Sequence, residues 1–548
     1  MAKTAHVDTF AGDNLPPREQ WPAFAFSRPE LQYPERLNCV THFLDRWVEE
    51  GRGGEVCLIS GPDTLTYAEL QAQVNRICNV LTGPLGLVPG GRVLLRSANN
   101  AMLVATYLAV LKAGGVVVAT MPLLRAREIA YPVTKARIDL ALCDHRLSDE
   151  MEKARPLCPD LRRIVYWGSG APHGLEALMA EASPDFAAVD TAADDVCLIG
   201  FTSGTTGEPK GTMHFHRDML AICDAYAGNV LRPESSDRFI GSPPLAFTFG
   251  LGGLVLFPMR VGASTVLLEK AGPDDLLSAI ERHRATICFT APTAYRAMLP
   301  KLGMTDISSL RKCVSAGEAL PKATFEAWHE ATGLKLMDGI GATEMLHIFI
   351  AAREDEIRPG ATGKPVPGYE AKVIDDQGRD LPPGSTGRLA VRGPTGCRYL
   401  ADERQARYVQ GGWNVTGDTY TQDEDGYFWY QARSDDMSVS AGYNIAGPEV
   451  EAALLAHADV AECGVVGAPD GERGMIVKAF VVLREGVAPS PEIAKALQEH
   501  VKAEIAPYKY PRAIEFVTEL PKTPSGKLQR VALRQRAQAE AGRPSAAA

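Results

Sequence analysis

The chain has 548 residues, with 57 Lys and Arg against 67 Asp and Glu, a formal net charge of −10. At about 100–200 residues per domain, that length predicts several domains or subdomains. The 45% hydrophobic and 23% charged content excludes both wholesale disorder and a fibrous architecture. An acidic balance speaks against a nucleic-acid groove, which needs Lys and Arg clustered on one face. The eleven cysteines form no CxxC pair and no Cys/His spacing of a zinc site, as expected of reduced, mostly buried thiols in a cytoplasmic protein.

The opening residues, MAKTAHVDTFAGDN, turn polar at once and lack the apolar core of a secretory signal. The stretch Ala101–Leu124 mimics a membrane span, but Lys112, Gly114, Gly115 and Pro122 interrupt it. It reads as a buried helix feeding a buried strand, not as the ~20 uninterrupted apolar residues that lipid requires. Short β-branched runs then alternate with helical patterns: Arg92–Arg96, Val116–Ala119, Leu140–Cys143, Val196–Phe201, Ser264–Leu268 and Thr286–Thr290, with an amphipathic helix at Asp274–Arg284. That alternation predicts an α/β fold of parallel-rich sheets covered by helices. Between residues 360 and 430, short strands split by Gly, Pro and Asp turns predict a small antiparallel β-barrel subdomain. After Arg433 a new α+β unit begins. Helices are expected at Glu449–His457 and Ser490–Glu504, and strands at Glu462–Val466 and Val477–Leu483. The division falls at 1–434 and 435–548, and the tail from Ala537 is expected to fray. No internal repeat is present.

The strongest motif follows the apolar run Val196–Phe201: Thr202, Ser203, Gly204, Thr205, Thr206, Gly207, then Glu-Pro and Lys210-Gly211. A loop of this composition leaves backbone N–H groups and hydroxyls free to surround phosphate oxygens, and a lysine adds a point charge. The Gly-Lys-Ser/Thr ending of a Walker A loop is absent. The string resembles the phosphate loop of the adenylate-forming superfamily, which comprises acyl-CoA synthetases, adenylation domains and luciferases. Further motifs of that family follow in order over nearly the whole chain: Gly339-Ile340-Gly341-Ala-Thr343-Glu344, Trp413-Asn-Val-Thr-Gly-Asp418, Arg433 ahead of Asp435, Gly442 within Ser440–Asn444, and Pro521-Lys-Thr-Pro-Ser-Gly-Lys527.

The resemblance implies a role for each position. Thr343 and the phosphate loop would contact ATP phosphates, and Glu344 would hold Mg²⁺, which favours hard oxygen ligands shared with phosphates. Asp418 and Arg433 would hold the ribose. Gly317, Glu318, Asp338, Gly339 and Ile340 would border the nucleotide, with Ile340 standing where the family usually has an aromatic residue. Asp435 corresponds to the hinge on which a small, mobile lid domain swings, Gly442 to the pantetheine tunnel, and Lys527 to the lysine that neutralises charge at the α-phosphate. Lys210, Thr343, Glu344 and Lys527 are thus the expected catalytic set. Substrates would be a small aromatic acid, ATP and coenzyme A, with no nucleic-acid or membrane partner and a monomeric or homodimeric state.

Three segments resemble the benzoate- and 2-aminobenzoate-CoA ligase branch: Cys223–Ala227, Pro243–Gly250 and Gly339–Ile348. Carried over, the acid pocket would be walled by Tyr226, Ala227, Phe249, Ala316, Gly317, Ile340, Gly341, His347 and Ile348. Small residues facing aromatic ones suit one planar ring. His347 is the polar candidate for an ortho substituent. The implied reaction is ATP-dependent aryl-CoA ligation through an acyl-adenylate. Loading of a carrier protein, or ligation of a non-aromatic acid, is the alternative. His214 and His216 mimic an HxH metal pair, but no accompanying ligand set follows, so packing or capping is expected of them. No GxSxG elbow and no GxGxxG fingerprint occurs.

Overall fold

The computed structural model describes residues 3–202, 209–433, 437–440, 443–470, 474–505, 509–523 and 526–541. Two large sheets carry most of the chain. One is six-stranded, ordered Arg163–Trp167, Leu140–Asp144, Arg92–Arg96, Val116–Thr120, Val196–Phe201, Gly211–Phe215, and is parallel except for its last pair. The other is nine-stranded. Its central strands Leu336–Gly341, Lys312–Ala316, Ile287–Thr290, Arg238–Gly241, Ser264–Leu267 and Val56–Ser60 run parallel, flanked by antiparallel edges. Apolar β-branched runs buried on both faces are what parallel strands require. The predicted strands accordingly lie within a residue or so of the observed ones.

The helix Ala101–Lys112 explains the membrane-like stretch. Asn100 caps it, its side chain accepting the Leu103 N–H at 3.0 Å. Every residue of the helix except Met102 is buried. It touches Arg92–Arg96 and Val116–Thr120 of one sheet and Val56–Ser60 of the other, so both sheets cover it. A helix apolar all round must be enclosed. Its one cation, Lys112, is satisfied by Asp45 Oδ1 and Asn75 Oδ1, each 2.7 Å from Nζ. Among the described residues, no helix is long and apolar enough to cross a membrane.

The antiparallel unit is five-stranded. Trp413–Gln422 pairs with Thr386–Arg392, Val409–Gln410 and Phe428–Arg433, and Glu370–Ile374 completes it. Beyond it, Val460–Asp470, Gly474–Leu483 and Ala513–Phe516 form a separate three-stranded sheet. Helices Gly447–Leu455 and Pro491–Glu504 share a core with that sheet. Ser490 caps the second helix, as its hydroxyl accepts the Ile493 N–H at 3.3 Å. The 434/435 division falls on residues outside those described. All eleven cysteines are free and buried.

The expectation of fraying from Ala537 is corrected for Ala537–Ala541; residues 542–548 lie outside those described. A helix runs from Arg530 to Ala541, and Ala537 is buried beside Leu533 against Val466, Ala468 and Phe480. The i and i+4 positions of an alanine-rich segment form one apolar face here. Arg536 and Glu540 pin its outer side to Glu515 and Lys478.

Candidate active site

The end of Val196–Phe201 in one sheet meets the turn that follows Leu336–Gly341 in the other: a β-carbon on Gly200 would lie 3.0 Å from Thr343 Cγ2. Lys210 leaves the edge of the six-stranded sheet, where its carbonyl accepts the Thr202 N–H at 3.0 Å. Its ammonium donates to Tyr399 Oη at 2.8 Å and stands 3.6 Å from Glu344 Oε1. Tyr399 Oη donates to that same Oε1 at 2.5 Å. Glu344 and Lys210, 134 positions apart by their numbers in the chain, are thereby brought together. Ser203, Gly204, Thr205, Thr206 and Gly207 lie outside the described residues.

Behind Glu344 stands a buried polar column. His214 Nε2 lies 2.8 Å from the Thr343 carbonyl, so this nitrogen must carry the proton it donates. His214 Nδ1 lies 3.6 Å from Asp218 Oδ2, and Asp218 is ion-paired with Arg398. All three side chains are fully buried. Burial alone would push the Asp218 carboxyl up, but the Arg398 guanidinium and the neighbouring His214 and Arg217 hold it down at about 2. His216 faces Cys39, with Nδ1 3.2 Å from Sγ. The two rings of the HxH pair thus face different partners, the Thr343 carbonyl and the Cys39 thiol. Among the described residues, no three His, Cys, Asp or Glu side chains form a metal cage. A lone carboxylate beside an ammonium instead suits Mg²⁺, which takes the rest of its shell from phosphates and water.

The second half of the site is aromatic. Tyr226 and Ala227 lie on a π-helical segment, Cys223–Leu231, and are buried. Another π-helical segment, Gly252–Leu256, follows Phe249. Such i→i+5 turns are rare and recur at functional sites. His347 is surrounded by rings: Phe257 at 4.5 Å, Tyr226 at 5.6 Å and Phe249 at 5.7 Å between centroids. Burial lowers its pKa to about 3, so it is a neutral imidazole. Both of its ring nitrogens, and the Tyr226 hydroxyl, are buried without a hydrogen-bond partner. Gly341 pairs with Ile348, and a β-carbon at 341 would come within 2.9 Å of the His347 carbonyl. Only glycine permits this approach. Leu346, at φ +69°, turns the chain between Glu344 and His347 in a region that residues with a β-carbon seldom adopt.

Asp338, on the strand ending at Gly341, has an Oδ1 atom buried without a partner, and burial pushes its carboxyl up to about 7. Ala316 and Gly339 are register partners on neighbouring strands. Ile340 packs half-buried against the main core, and Ile348 is buried within it. Phe257 and Phe289 complete the ring cluster. Sequence reasoning missed both, as it missed Tyr399, because nothing in their local patterns separates them from core.

Lys527 reaches this site from the C-terminal unit. A β-carbon on Gly317 would lie 3.9 Å from Lys527 Cε. Burial raises the pKa of Glu318, and the charge of Lys527 opposes that rise. Arg296 donates to the Val460 carbonyl at 3.2 Å across the same junction. Asp418 and Arg433 are register partners on adjacent strands. Asp435 and Gly442 lie outside the described residues.

Comparison with known proteins adds a second line of observation. The model of the family described as AMP-binding enzyme matches residues 44–399, and that of the AMP-binding enzyme C-terminal domain matches residues 449–527. The benzoate–CoA ligase of Thauera aromatica is 38% identical over 515 residues, covering 92% of this chain and 97% of that protein. Among solved structures, the anthranilate CoA ligase AuaEII, crystallised with anthranoyl-AMP, aligns with a TM-score of 0.90 at 37% identity, covering 94% and 100% of the two chains. A benzoate CoA ligase from Burkholderia xenovorans LB400 aligns at 0.83 and 33% identity, covering 91% and 99%.

Proposed function

The chain belongs to the AMP-binding enzyme family, and from that premise we propose that it is an ATP-dependent aryl-CoA ligase acting on benzoate or 2-aminobenzoate. The observation that carries the acid choice is the ring cluster of Tyr226, Phe249 and Phe257 around a neutral, unpartnered His347. Flat walls suit one planar ring. The unpaired His347 nitrogens favour an acid with a ring substituent that donates a hydrogen bond, since a buried polar group left unmatched is costly.

The reaction needs no side-chain nucleophile. A carboxylate oxygen of the acid attacks the α-phosphorus of ATP, and the bond to the β-phosphate breaks to release pyrophosphate. The CoA thiol then attacks the acyl carbon, and AMP leaves with the former carboxylate oxygen. Thr343 and Lys210 hold the phosphates, Lys527 neutralises the charge that builds at the α-phosphate, and Asp418 with Arg433 holds the ribose. These groups act by positioning and charge. Mg²⁺, held by Glu344, would neutralise phosphate charge when bound. Asp338, whose buried Oδ1 lacks a donor, suits an amino group and would border the nucleotide.

Pyrophosphate release across aryl, aliphatic and amino acids, with and without CoA, tests this reading. Benzoate-sized planar acids should exceed octanoate by well over tenfold in kcat/KM, because each misplaced methylene is worth only about 1–3 kcal/mol and a larger preference needs outright exclusion. A medium-chain fatty acid as best substrate would refute the aryl assignment. His347→Phe keeps a ring but removes both nitrogens. It should lower the preference for 2-aminobenzoate over benzoate by about tenfold, one lost hydrogen bond. With the His347 pKa near 3, the imidazole is neutral at every pH well above that value. The preference should therefore stay flat from pH 6 to 9.

A further inference from the structure

Tyr399 joins the catalytic groups without belonging to any motif that pointed to them. We propose that Tyr399 is a positioning residue for adenylation: its hydroxyl, set between Lys210 and Glu344, keeps those two groups from closing into a direct ion pair and aims the Glu344 carboxylate at the metal. The proposal rests on the reading of Lys210 and Glu344 as phosphate and metal groups.

Hydrogen-bond polarity makes the arrangement one-way. The Lys210 ammonium can only donate and the ionised Glu344 carboxylate can only accept. A hydroxyl does both, accepting from Nζ at 2.8 Å and donating to Oε1 at 2.5 Å. With Oε1 engaged, Oε2 is the oxygen that remains for a cation. Lys210 Nζ also lies 4.8 Å from the Tyr399 ring centroid, over its face.

The phenol is held on the phosphate-loop edge. Tyr399 bridges Thr212, and the Leu400 N–H donates to the Gly211 carbonyl at 2.8 Å. The Tyr399 N–H donates to Gln405 Oε1 at 2.9 Å, and Gln405 Nε2 donates to the Cys397 carbonyl at 3.1 Å. Tyr399 is fully buried. Its oxygen is thus placed by backbone pairing with the residues that follow Lys210. Lys210 and Glu344 already stand 3.6 Å apart; without the hydroxyl they would meet, and ATP would have to break that pair.

Tyr399→Phe removes one oxygen and keeps the ring. Two readouts should change. The half-saturating Mg²⁺ concentration for pyrophosphate release should rise about tenfold, the value of one charge-assisted hydrogen bond. In calorimetry without acid substrate, the gain in α,β-methylene-ATP affinity on adding Mg²⁺ should shrink by a similar factor. A merely structural tyrosine would lower the melting temperature and leave both Mg²⁺ responses intact, which would overturn the proposal. Glu344→Gln is measured in parallel. If it shifts both responses and the double variant adds nothing to it, Tyr399 acts through Glu344 as proposed. If Glu344→Gln shifts them and Tyr399→Phe does not, the role of Tyr399 alone is refuted. If Glu344→Gln shifts neither, the reading of the metal site itself fails, and the proposal with it.

Discussion

Lys527→Ala should slow acyl-adenylate formation by about 10²–10³-fold, the usual loss when one preorganised charge donor is removed. Lys527 is tied back to Thr523. Thr523 N–H donates to the Lys527 carbonyl at 2.7 Å, Gly526 N–H donates to the Thr523 carbonyl at 2.8 Å, and Gly526 takes φ +86°. The side chain stands beside Gly317 and Glu318, which follow the strand Lys312–Ala316 of the nine-stranded sheet. On the proposed reading, this is the adenylating arrangement. If the C-terminal unit then swings away for the thiol step, the same variant should convert supplied benzoyl-adenylate and CoA to thioester at near wild-type rate. Rapid-quench measurement of each half-reaction separates the two. Equal losses in both, with the protein folded, would refute a rotating lid in this chain.

The second large effect concerns stability. Asp218→Ala leaves the fully buried Arg398 guanidinium without its counter-charge, and breaking a buried pair in this way costs about 3–5 kcal/mol. Asp218 also accepts the Phe215 N–H at 3.0 Å, at the start of the helix His216–Ile222. The loss should therefore reach the site, through His214 to the Thr343 carbonyl. Chemical denaturation at pH 7 measures it, and a change below about 1 kcal/mol, the span of an exposed ion pair, would refute the assignment. The pH dependence has a definite sign. The native carboxyl sits at about 2, below its ordinary 3.8, so its contribution is complete above pH 4 and is lost as pH falls through 2. The wild type should lose stability across that window more steeply than the variant.

Much of this protein was legible in its residues. Runs such as Arg92–Arg96, Val116–Thr120 and Leu140–Asp144 became strands because β-branched and leucine side chains suit a sheet covered on both faces. Ser490 and Asn100 mark helix starts by a hydrogen bond that depends only on local sequence. The glycine- and hydroxyl-rich string before Lys210 points to phosphate binding by its residue types, whereas the string from Gly339 to Glu344 points to it only through its resemblance to a family motif.

Tertiary structure decided the rest, because the deciding contacts join residues far apart in the chain. Tyr399 lies 189 residues from Lys210, and Arg398 lies 180 from Asp218. No local pattern distinguishes them from any buried tyrosine or surface arginine. The π-helical turns at Cys223–Leu231 and Gly252–Leu256 carry no composition signal, since only packing selects i→i+5 bonds over i→i+4. Likewise Ala537 looked like a loose end until the strands of the C-terminal sheet supplied a core for it. Spacing and residue type determined the chemistry available to this chain. Long-range packing determined which side chains stand beside that chemistry, because burial and pairing depend on neighbours that sequence order does not reveal.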